Sequence, residues 1–336
     1  MSVLIGLDIG GTKCAVSVGR AQGDGIEILR REAIPTPESQ TQAMDALCAL
    51  AQTLAGGEPI AGIGVSAGGP LDAAAGMLLN PPNLPGWRDV SLTALASAAL
   101  GAPCVLENDA NACALAEWRW GAGRDSRMMA FLTFGTGLGA GIVAAGRILR
   151  GASGDAGEVG HWRIRDFGPS GYGKTGSFEG FCSGGGLRQL AETVGERYRQ
   201  NGSTPAFVRD GRFDAKTVAE AARAGDAAAL EVFALCGEAL GAGLSLLVDV
   251  LNPDCIVLGS IYARCEDLLA PPMRAVMARE CLPRSLGACR VVPAQLGEQI
   301  GDYAALAIAT SALPPLGGGT SSPSQPPPEN GGTLVF

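Results

Sequence analysis

Val105-Leu106-Glu107-Asn108-Asp109-Ala110-Asn111 decides how the chain is read. Ala102 to Leu106 is an apolar run with the length of a short buried strand. Ala110 to Trp120 is Ala-rich and stops at Gly121, which predicts a helix. Asn108 and Asp109 therefore stand where a strand ends and a helix begins. Open α/β sheets bind ligands there, beyond the carboxyl ends of their strands. Asn and Asp are also ordinary helix N-caps, accepting bonds from the free amides of the first turn. The stretch alone leaves cap and ligand site both open, and the rest of the chain favours the site.

Upstream, Val3 to Asp8 reads as a strand, Gly10-Gly11-Thr12 as a turn and Lys13 to Val18 as a second strand. Ser39 and Gln42 form a capping-box signature ahead of a helix reaching about Leu54. Ile60 to Val65 is another strand, closed by Gly68-Gly69-Pro70. A Pro- and Asn-rich loop, Asn80 to Trp87, and a short helix, Ser91 to Leu100, follow. Downstream the pattern begins again. Met129 to Phe134, Gly135-Thr136-Gly137 and Gly141 to Ala145 repeat strand, Gly/Thr turn, strand. This weak duplication predicts two lobes with one glycine hairpin each. Helices are predicted at Leu187 to Tyr198, Lys216 to Ala224, Ala227 to Val250 and Asp302 to Thr310, with a strand at Cys255 to Leu258 ending in Gly259-Ser260. The expected domains are a small α/β domain over 1–120 with a return helix at 298–313, and a large α/β domain over 121–297. The Pro, Gly, Ser and Asn tail at 314–336 buries too little apolar surface to offset ordering entropy and is predicted disordered.

Composition narrows the function. The 336 residues carry 25 basic and 33 acidic groups, a net charge of −8 with no basic block, which argues against nucleic acid as a partner. Ten cysteines are scattered singly with no C-x-x-C pair, the usage of buried thiols in a reducing, cytoplasmic compartment rather than of a disulfide framework. No basic n-region opens the chain, so no signal peptide is expected. Met128 to Gly146 is uncharged and long enough to cross a bilayer, but its five glycines and two threonines predict a tight hairpin and no membrane partner.

Four stretches carry chemistry. In Asp8-Ile9-Gly10-Gly11-Thr12-Lys13 the glycines let backbone amides form an anion nest, and a carboxylate at the strand end suits a hydrated Mg²⁺. The plain alternative is a hairpin whose Asp is a turn residue. Thr133 to Ala140 contains a formal G-x-G-x-x-A, but a strand follows it where a dinucleotide fingerprint needs a helix, so it reads as a second phosphate turn. Gly168 to Thr175 matches G-x-x-x-x-G-K-[ST] in full. A true P-loop needs a buried strand before it and a helix from the Lys. Arg163-Ile164-Arg165-Asp166 is too charged for that strand, and Gly176, Gly180 and Gly184-Gly185-Gly186 are too many for that helix. Finally, Glu158 and the chain's single histidine, His161, sit in a glycine-rich loop, with Glu179 beyond. Loop carboxylates and amides bind sugar hydroxyls by accepting and donating in a fixed pattern.

In this combination and order the stretches resemble the ROK family (repressor, open reading frame, kinase) of sugar kinases, from Met1 to about Thr310. Asp8-Ile9-Gly10-Gly11-Thr12-Lys13, Glu107-Asn108-Asp109, Gly135-Thr136-Gly137, Glu158-Val159-Gly160-His161 and Asn252-Pro253-Asp254 leading to Gly259 carry the resemblance. It implies an α/β, two-lobed actin-like, ribonuclease-H-like ATPase fold, and ATP-dependent, Mg²⁺-assisted phosphorylation of a hexose or hexose-like hydroxyl. It also implies a homodimer or higher homo-oligomer. By the resemblance Asp109 is the general base, while Asn108, Glu158, His161 and Glu179 bind the other hydroxyls. Gly69 and Asn83 line the sugar pocket. Asp8, Gly11, Thr12, Lys13, Thr133, Gly135 and Thr136 surround the Mg-ATP phosphates, with Asp8 on the metal through water. Gly259 lies near the nucleoside.

Two departures stand out. Many members hold a structural zinc with the histidine and three cysteines of C-x-C-G-x-x-G-C-x-E, where this chain has Ser170, Tyr172 and Ser177. Neutral hydroxyls do not supply thiolates, so no structural zinc is expected, and Tyr172 or Ser177 is expected to hold His161 by a hydrogen bond. The P-loop match is this same segment. The second departure is Ser260, where the nucleoside end usually carries a glycine. Competing readings are a sugar-responsive regulator of the same family, expected to need a helix-turn-helix ahead of the first strand, and a P-loop nucleotide-binding protein built on Gly168 to Thr175. The sequence does not identify the sugar: glucose is the default, with mannose, fructose, allose, N-acetylhexosamines and cyclitols open, and polyphosphate open as donor.

Overall fold

Two five-stranded sheets, wound in the same order, carry the molecule. The computed structural model describes residues 2–313, and the predicted disorder of 314–336 lies outside them. The first lobe contains β1 (Val3–Ile9), β2 (Lys13–Gln22), β3 (Gly25–Pro35), α1 (Gln40–Ala55), β4 (Ile60–Ala67), the small sheet β5 (Leu71–Asp72), β6 (Met77–Leu78) and β7 (Val90–Ser91), α2 (Leu92–Leu100) and β8 (Cys104–Asn108). After α3 (Asp109–Trp120) come β9 (Met128–Leu132), β10 (Ala140–Ala144), β11 (Arg147–Ile148), the two-stranded β12 (Ser170–Gly171) and β13 (Lys174–Thr175), and the helices α4 (Phe178–Phe181), α5 (Gly184–Gln200), α6 (Ala206–Arg209), α7 (Ala215–Arg223) and α8 (Ala227–Leu251). β14 (Cys255–Leu258), α9 (Ile261–Glu280), α10 (Pro283–Ala288), β15 (Arg290–Pro293) and α11 (Ile300–Ser311) complete the chain.

The sheet orders, β3-β2-β1-β4-β8 and β11-β10-β9-β14-β15, correspond strand for strand: a glycine hairpin, then two parallel strands. The weak duplication in the sequence is thus a duplication of topology. Central strands such as β1 are apolar almost throughout because both faces are covered. Met128–Gly146 forms the hairpin β9–β10 rather than a membrane helix. Ala227–Leu251 is long and apolar enough to span a bilayer, but 56% of its most apolar window is buried in the second core. All ten cysteines are free thiols.

Two helices cross between the lobes. α3 follows the first sheet yet packs on β9 and β10, whereas α11 follows the second sheet yet packs on β1 and β4. Glycines make both approaches close. A Cβ at Gly64 would lie 2.1 Å from the Ala305 carbonyl oxygen, and one at Gly141 would lie 2.5 Å from that of Ala110. Spatially, then, the helix placed at the end of the small domain lies against the sheet of the large one.

The sequence reading missed β3, α9, α10 and β15. β3 and β15 are edge strands without alternating burial, and α9 contains Pro271 and Pro272 and is kinked at Cys265. One expectation is corrected: Gly184-Gly185-Gly186 does open a helix. Ser183 caps α5 by accepting the Gly186 N–H at 3.0 Å, and a Cβ at Gly186 would strike the Gly180 oxygen at 2.0 Å. Close packing overrides the low helix propensity of glycine there.

Candidate active site

Strand register brings the first group of residues together. Asp8 on β1 pairs with Ser66 on β4, and Ala67 pairs with Asn108 on β8, so Asp8, Gly68-Gly69 and Asn108-Asp109 share the carboxyl edge of the first sheet. Asn108 caps α3, its Oδ1 accepting the N–H groups of Ala110 (2.9 Å) and Asn111 (3.4 Å). The capping reading therefore holds for Asn108, which frees its neighbour. Asp109 accepts only the Ala110 N–H, at 2.8 Å. Its side chain is reached by solvent yet crowded by protein. That crowding pushes its carboxyl pKa up, aided by the charge of Glu158 and opposed by the Ala110 bond. Gly69 lies beside the Asn108 amide, a Cβ there standing 3.6 Å from Nδ2.

Asp8 faces Asp109. Burial first, then the charges of Asp109 and Asp302, raise its pKa from 3.8 to about 6 against the pull of Lys13 and Arg31. A carboxylate held in a negative, partly dry setting gains from a cation, so the donor set fits a water-mediated Mg²⁺ on Asp8.

Each lobe contributes a glycine turn. In the first, the Gly10 N–H donates to the Lys13 oxygen at 3.1 Å, and Thr36 braces it: its hydroxyl donates to the Gly10 oxygen at 2.6 Å and its N–H to the Thr12 oxygen at 3.1 Å. Gly11, Thr12 and Lys13 are exposed on this turn. Asn83 leans on it, its carbonyl oxygen 2.4 Å from where a Gly11 Cβ would be. In the second turn Thr133 Oγ1 accepts the Gly139 N–H at 2.9 Å, so its hydroxyl holds the turn shut. Gly135 accepts the Gly184 N–H at 2.8 Å, Thr136 is exposed, and Gly259 sits beside the strand end, donating to the Leu132 oxygen at 2.9 Å. A Cβ at Gly139 would lie 3.5 Å from that of Ala110, which sets the second turn against the start of α3.

Glu158 and His161 are exposed, with His161 Nδ1 3.5 Å from Glu158 Oε2. Glu179 accepts the Leu138 N–H at 3.0 Å and so ties α4 to the second turn. The expected hydrogen bond to His161 from Tyr172 or Ser177 is not what forms. Tyr172 packs edge-on against the imidazole, with centroids 5.0 Å apart at 72°. Ser177 is committed to backbone, accepting the N–H groups of Gly180 (3.0 Å) and Gly171 (3.2 Å). Lys174 donates to the His161 carbonyl at 2.5 Å. Lys174-Thr175 is the strand β13, paired with β12, so no helix begins at the lysine and the P-loop reading fails on geometry.

The donor set does not fit a tetrahedral zinc. Ser170 Oγ pairs with Thr175 Oγ1 at 2.9 Å, and the side-chain amide of Gln189 bonds both the N–H and the carbonyl of Ser170, each at 2.9 Å. Cys182, the nearest thiol candidate, turns into the core toward the Cys236 oxygen at 3.6 Å. Among the described residues no three His, Cys, Asp or Glu side chains cluster as metal ligands.

Sequence reasoning assigned no role to Thr36, Asp302, Glu107 or Arg150. Asp302 on α11 is buried and accepts from Ser17 Oγ at 2.6 Å and Arg31 Nε at 2.8 Å. Only Glu107 left a signal, a charge at the end of an apolar strand. Two cavities, of about 520 and 870 Å³, share Arg165 on the flank of the second lobe and touch none of these groups.

The family model described as ROK family matches residues 4–312. A glucokinase of Streptomyces coelicolor is 31% identical over 306 residues, covering 90% of this chain and 95% of that protein. Among solved structures, a ROK family glucokinase from Streptomyces griseus in complex with glucose and AMPPNP superposes with TM-score 0.74 at 32% identity, covering 92% of this chain and all (100%) of that one. A ROK family transcriptional regulator, a homologue of the E. coli MLC protein, superposes with TM-score 0.81 at 25% identity, covering 92% of this chain and 78% of that one. The two-lobed actin-like, ribonuclease-H-like architecture is thus common to enzymes and regulators.

Proposed function

The chain belongs to the ROK family, and from that premise we propose that it is a sugar kinase moving the terminal phosphoryl group of ATP to a hydroxyl of a hexose or hexose-like sugar. The observation that carries this reading is Asp109, a carboxylate left with one backbone bond at a strand end, near the charge of Asp8, with Gly68 of the first lobe beside it and the second-lobe turn set against the start of its helix. Asp109 takes the proton of the attacking hydroxyl, and its raised pKa moves it toward the range where a general base works best. Asn108, Glu158, His161 and Glu179, with Gly69 and Asn83, orient the remaining hydroxyls. The turns at Gly11-Thr12-Lys13 and Thr133-Gly135-Thr136 receive the phosphates, and Gly259 borders the nucleoside. Asp8 would hold Mg²⁺ through water, and the ion would supply positive charge to neutralise the phosphates. Phosphoryl transfer is mostly positioning and electrostatics, so these parts suffice. A cytoplasmic homo-oligomer is part of the proposal.

The likeness to the MLC homologue favours a sugar-responsive regulator as the second reading. A coupled ADP-release screen across glucose, mannose, fructose, allose and N-acetylhexosamines separates the two. Sugar-dependent ADP release is expected. Sugar binding with no ADP release across the panel favours the regulator.

A further inference from the structure

Glu107, on β8 immediately before Asn108 and Asp109, is 1% exposed. Its Oε1 accepts the Asn108 N–H at 3.1 Å and the side-chain amide of Asn111 at 3.0 Å. Its Oε2 accepts Arg150 Nε at 3.0 Å and Nη2 at 2.5 Å. Both oxygens are therefore occupied, and the guanidinium meets one of them with two donors. Glu107 belongs to the first sheet, whereas Arg150 follows β11 of the second. The ion pair spans the lobes.

Stability alone does not account for it. Desolvation of the buried Glu107 cancels much of the attraction, and the Arg150 side chain is 47% exposed, so solvent screens its half of the pair and the contact's net worth to stability is small. What the pair joins is informative. On one side it holds the backbone of Asn108 and, through Asn111, the first turn of the helix that begins with Asp109. On the other side Arg150 opens the segment that leads to Glu158. The Ala156 N–H returns to the Arg150 oxygen at 3.1 Å, and the Ala140 N–H donates to the Gly157 oxygen at 3.1 Å. Glu158 and His161 follow directly.

We propose that Glu107 and Arg150 are positioning residues that fix the sugar-binding loop against the strand end bearing the base, so that the reacting hydroxyl meets Asp109 in register. The inference rests on the kinase reading and adds to it a pair of residues that touch neither substrate. The pair adds a direct side-chain contact between the loop and the strand end that bears the base.

The test uses two variants. Arg150→Met alone leaves a buried carboxylate unpaired and risks unfolding. Glu107→Gln combined with Arg150→Met removes both charges and keeps a carbonyl oxygen for Asn108 and Asn111, so the double variant decides. ADP release is followed with glucose, mannose or N-acetylmannosamine, whichever the unaltered chain phosphorylates fastest. The double variant is expected to keep the unaltered chain's thermal midpoint and KM for ATP. Its sugar KM should rise and its kcat fall, lowering kcat/KM for the sugar by about 10–100-fold, the scale on which a misplacement of about 1 Å acts in a positioned reaction, and by more than kcat/KM for ATP, which falls through kcat alone. A merely structural pair lowers the active fraction and leaves the sugar KM alone. Sugar kcat/KM equal to the unaltered chain's in the folded double variant, or an equal loss toward ATP and sugar, overturns the inference. If the unaltered chain phosphorylates none of the three sugars, the kinase reading fails separately. Calorimetric binding of the same sugars to both chains then decides, with weaker binding by the double variant expected and equal binding overturning the inference.

Discussion

At the start of α3, Asp109 accepts a single backbone N–H and is open to solvent; at the end of the same helix, Glu117 is fully buried and accepts three. The three come from Ala122 at 2.7 Å, Gln295 at 3.0 Å and Leu296 at 2.9 Å. Ala122 lies on the chain's passage into the second lobe, and Gln295 and Leu296 lie on its return. One side chain thus ties both crossings, and a Cβ at Gly121 would meet its Oε2 at 2.0 Å. Saturating a carboxylate with amides makes it a fastener. Leaving it under-coordinated keeps lone pairs free, as the proposed base requires. Helix and functional group are alike at the two ends, and the number of amide partners is what differs between the proposed base and the fastener.

The largest expected effect is at the open end. Asp109→Asn should lower kcat by about 10²–10⁴, the range for loss of a general base. Thermal stability should hardly change, because the cap belongs to Asn108. Near-normal kcat with the best sugar breaks the comparison. At the closed end the pattern should invert. Glu117→Gln turns an NH₂ toward backbone donors that need an acceptor. It should cost about 1–3 kcal/mol of stability, the scale of an unsatisfied buried group, while the folded enzyme keeps its kcat. Denaturant titration beside active-site-normalised kinetics reads both, and a variant that keeps its stability while losing kcat moves Glu117 into the chemistry.

Asp8 extends the comparison to a carboxylate of intermediate burial, with a smaller effect gated by pH. Its folded pKa of about 6 lies above the ordinary 3.8, so the fold favours the protonated form. The stability this contributes is complete below 3.8 and is lost as pH rises through about 6. Asp8→Asn does not ionise. The thermal midpoint of the metal-free unaltered chain should fall relative to this variant across that window. Mg²⁺ should restore it in the unaltered chain only. Parallel midpoints at every pH, with or without Mg²⁺, contradict the electrostatic account of Asp8.

Most of the frame was legible because local rules and tertiary needs agree in it. Ser39 does accept the Gln42 N–H as the N-cap of α1, and the strand before Gly259 ends where its composition says. Edge strands carry no burial alternation to read, so β3 and β15 left no trace. Gly184 to Gly186 misled because local propensity is blind to the Gly180 oxygen pressed against that turn. At the site, residue types and their order along the chain were legible. Who bonds whom was not: Ser177 and Tyr172 looked equally able to hold His161. The backbone donors of Gly171 and Gly180 took Ser177, and an edge-on ring contact took Tyr172. Glu117 and Arg150 stayed silent because their partners are far away in sequence or are backbone amides.

The smallest effect separates Asn108 from its neighbour. Its side chain makes the cap that leaves Asp109 free, accepting from Ala110 and Asn111. Asn108→Ala should therefore cost about 1 kcal/mol, the usual worth of an N-cap. Asn108→Asp should cost only a few tenths of a kcal/mol, because Asp caps about as well as Asn and suits the positive end of a helix. The aspartate is not silent, however. It puts a second negative charge beside Asp109, whose carboxyl pKa is already raised by crowding and by Glu158. A like charge at that range disfavours ionisation further. The base then needs a higher pH to be deprotonated, so the acid limb of kcat/KM should move to higher pH in Asn108→Asp. Thermal melts of the two variants and a pH profile of the second read the two roles independently. If Asn108→Asp is as unstable as Asn108→Ala, the cap is not what Asn108 supplies. If its acid limb stays in place, Asp109 is not the group that limb reports.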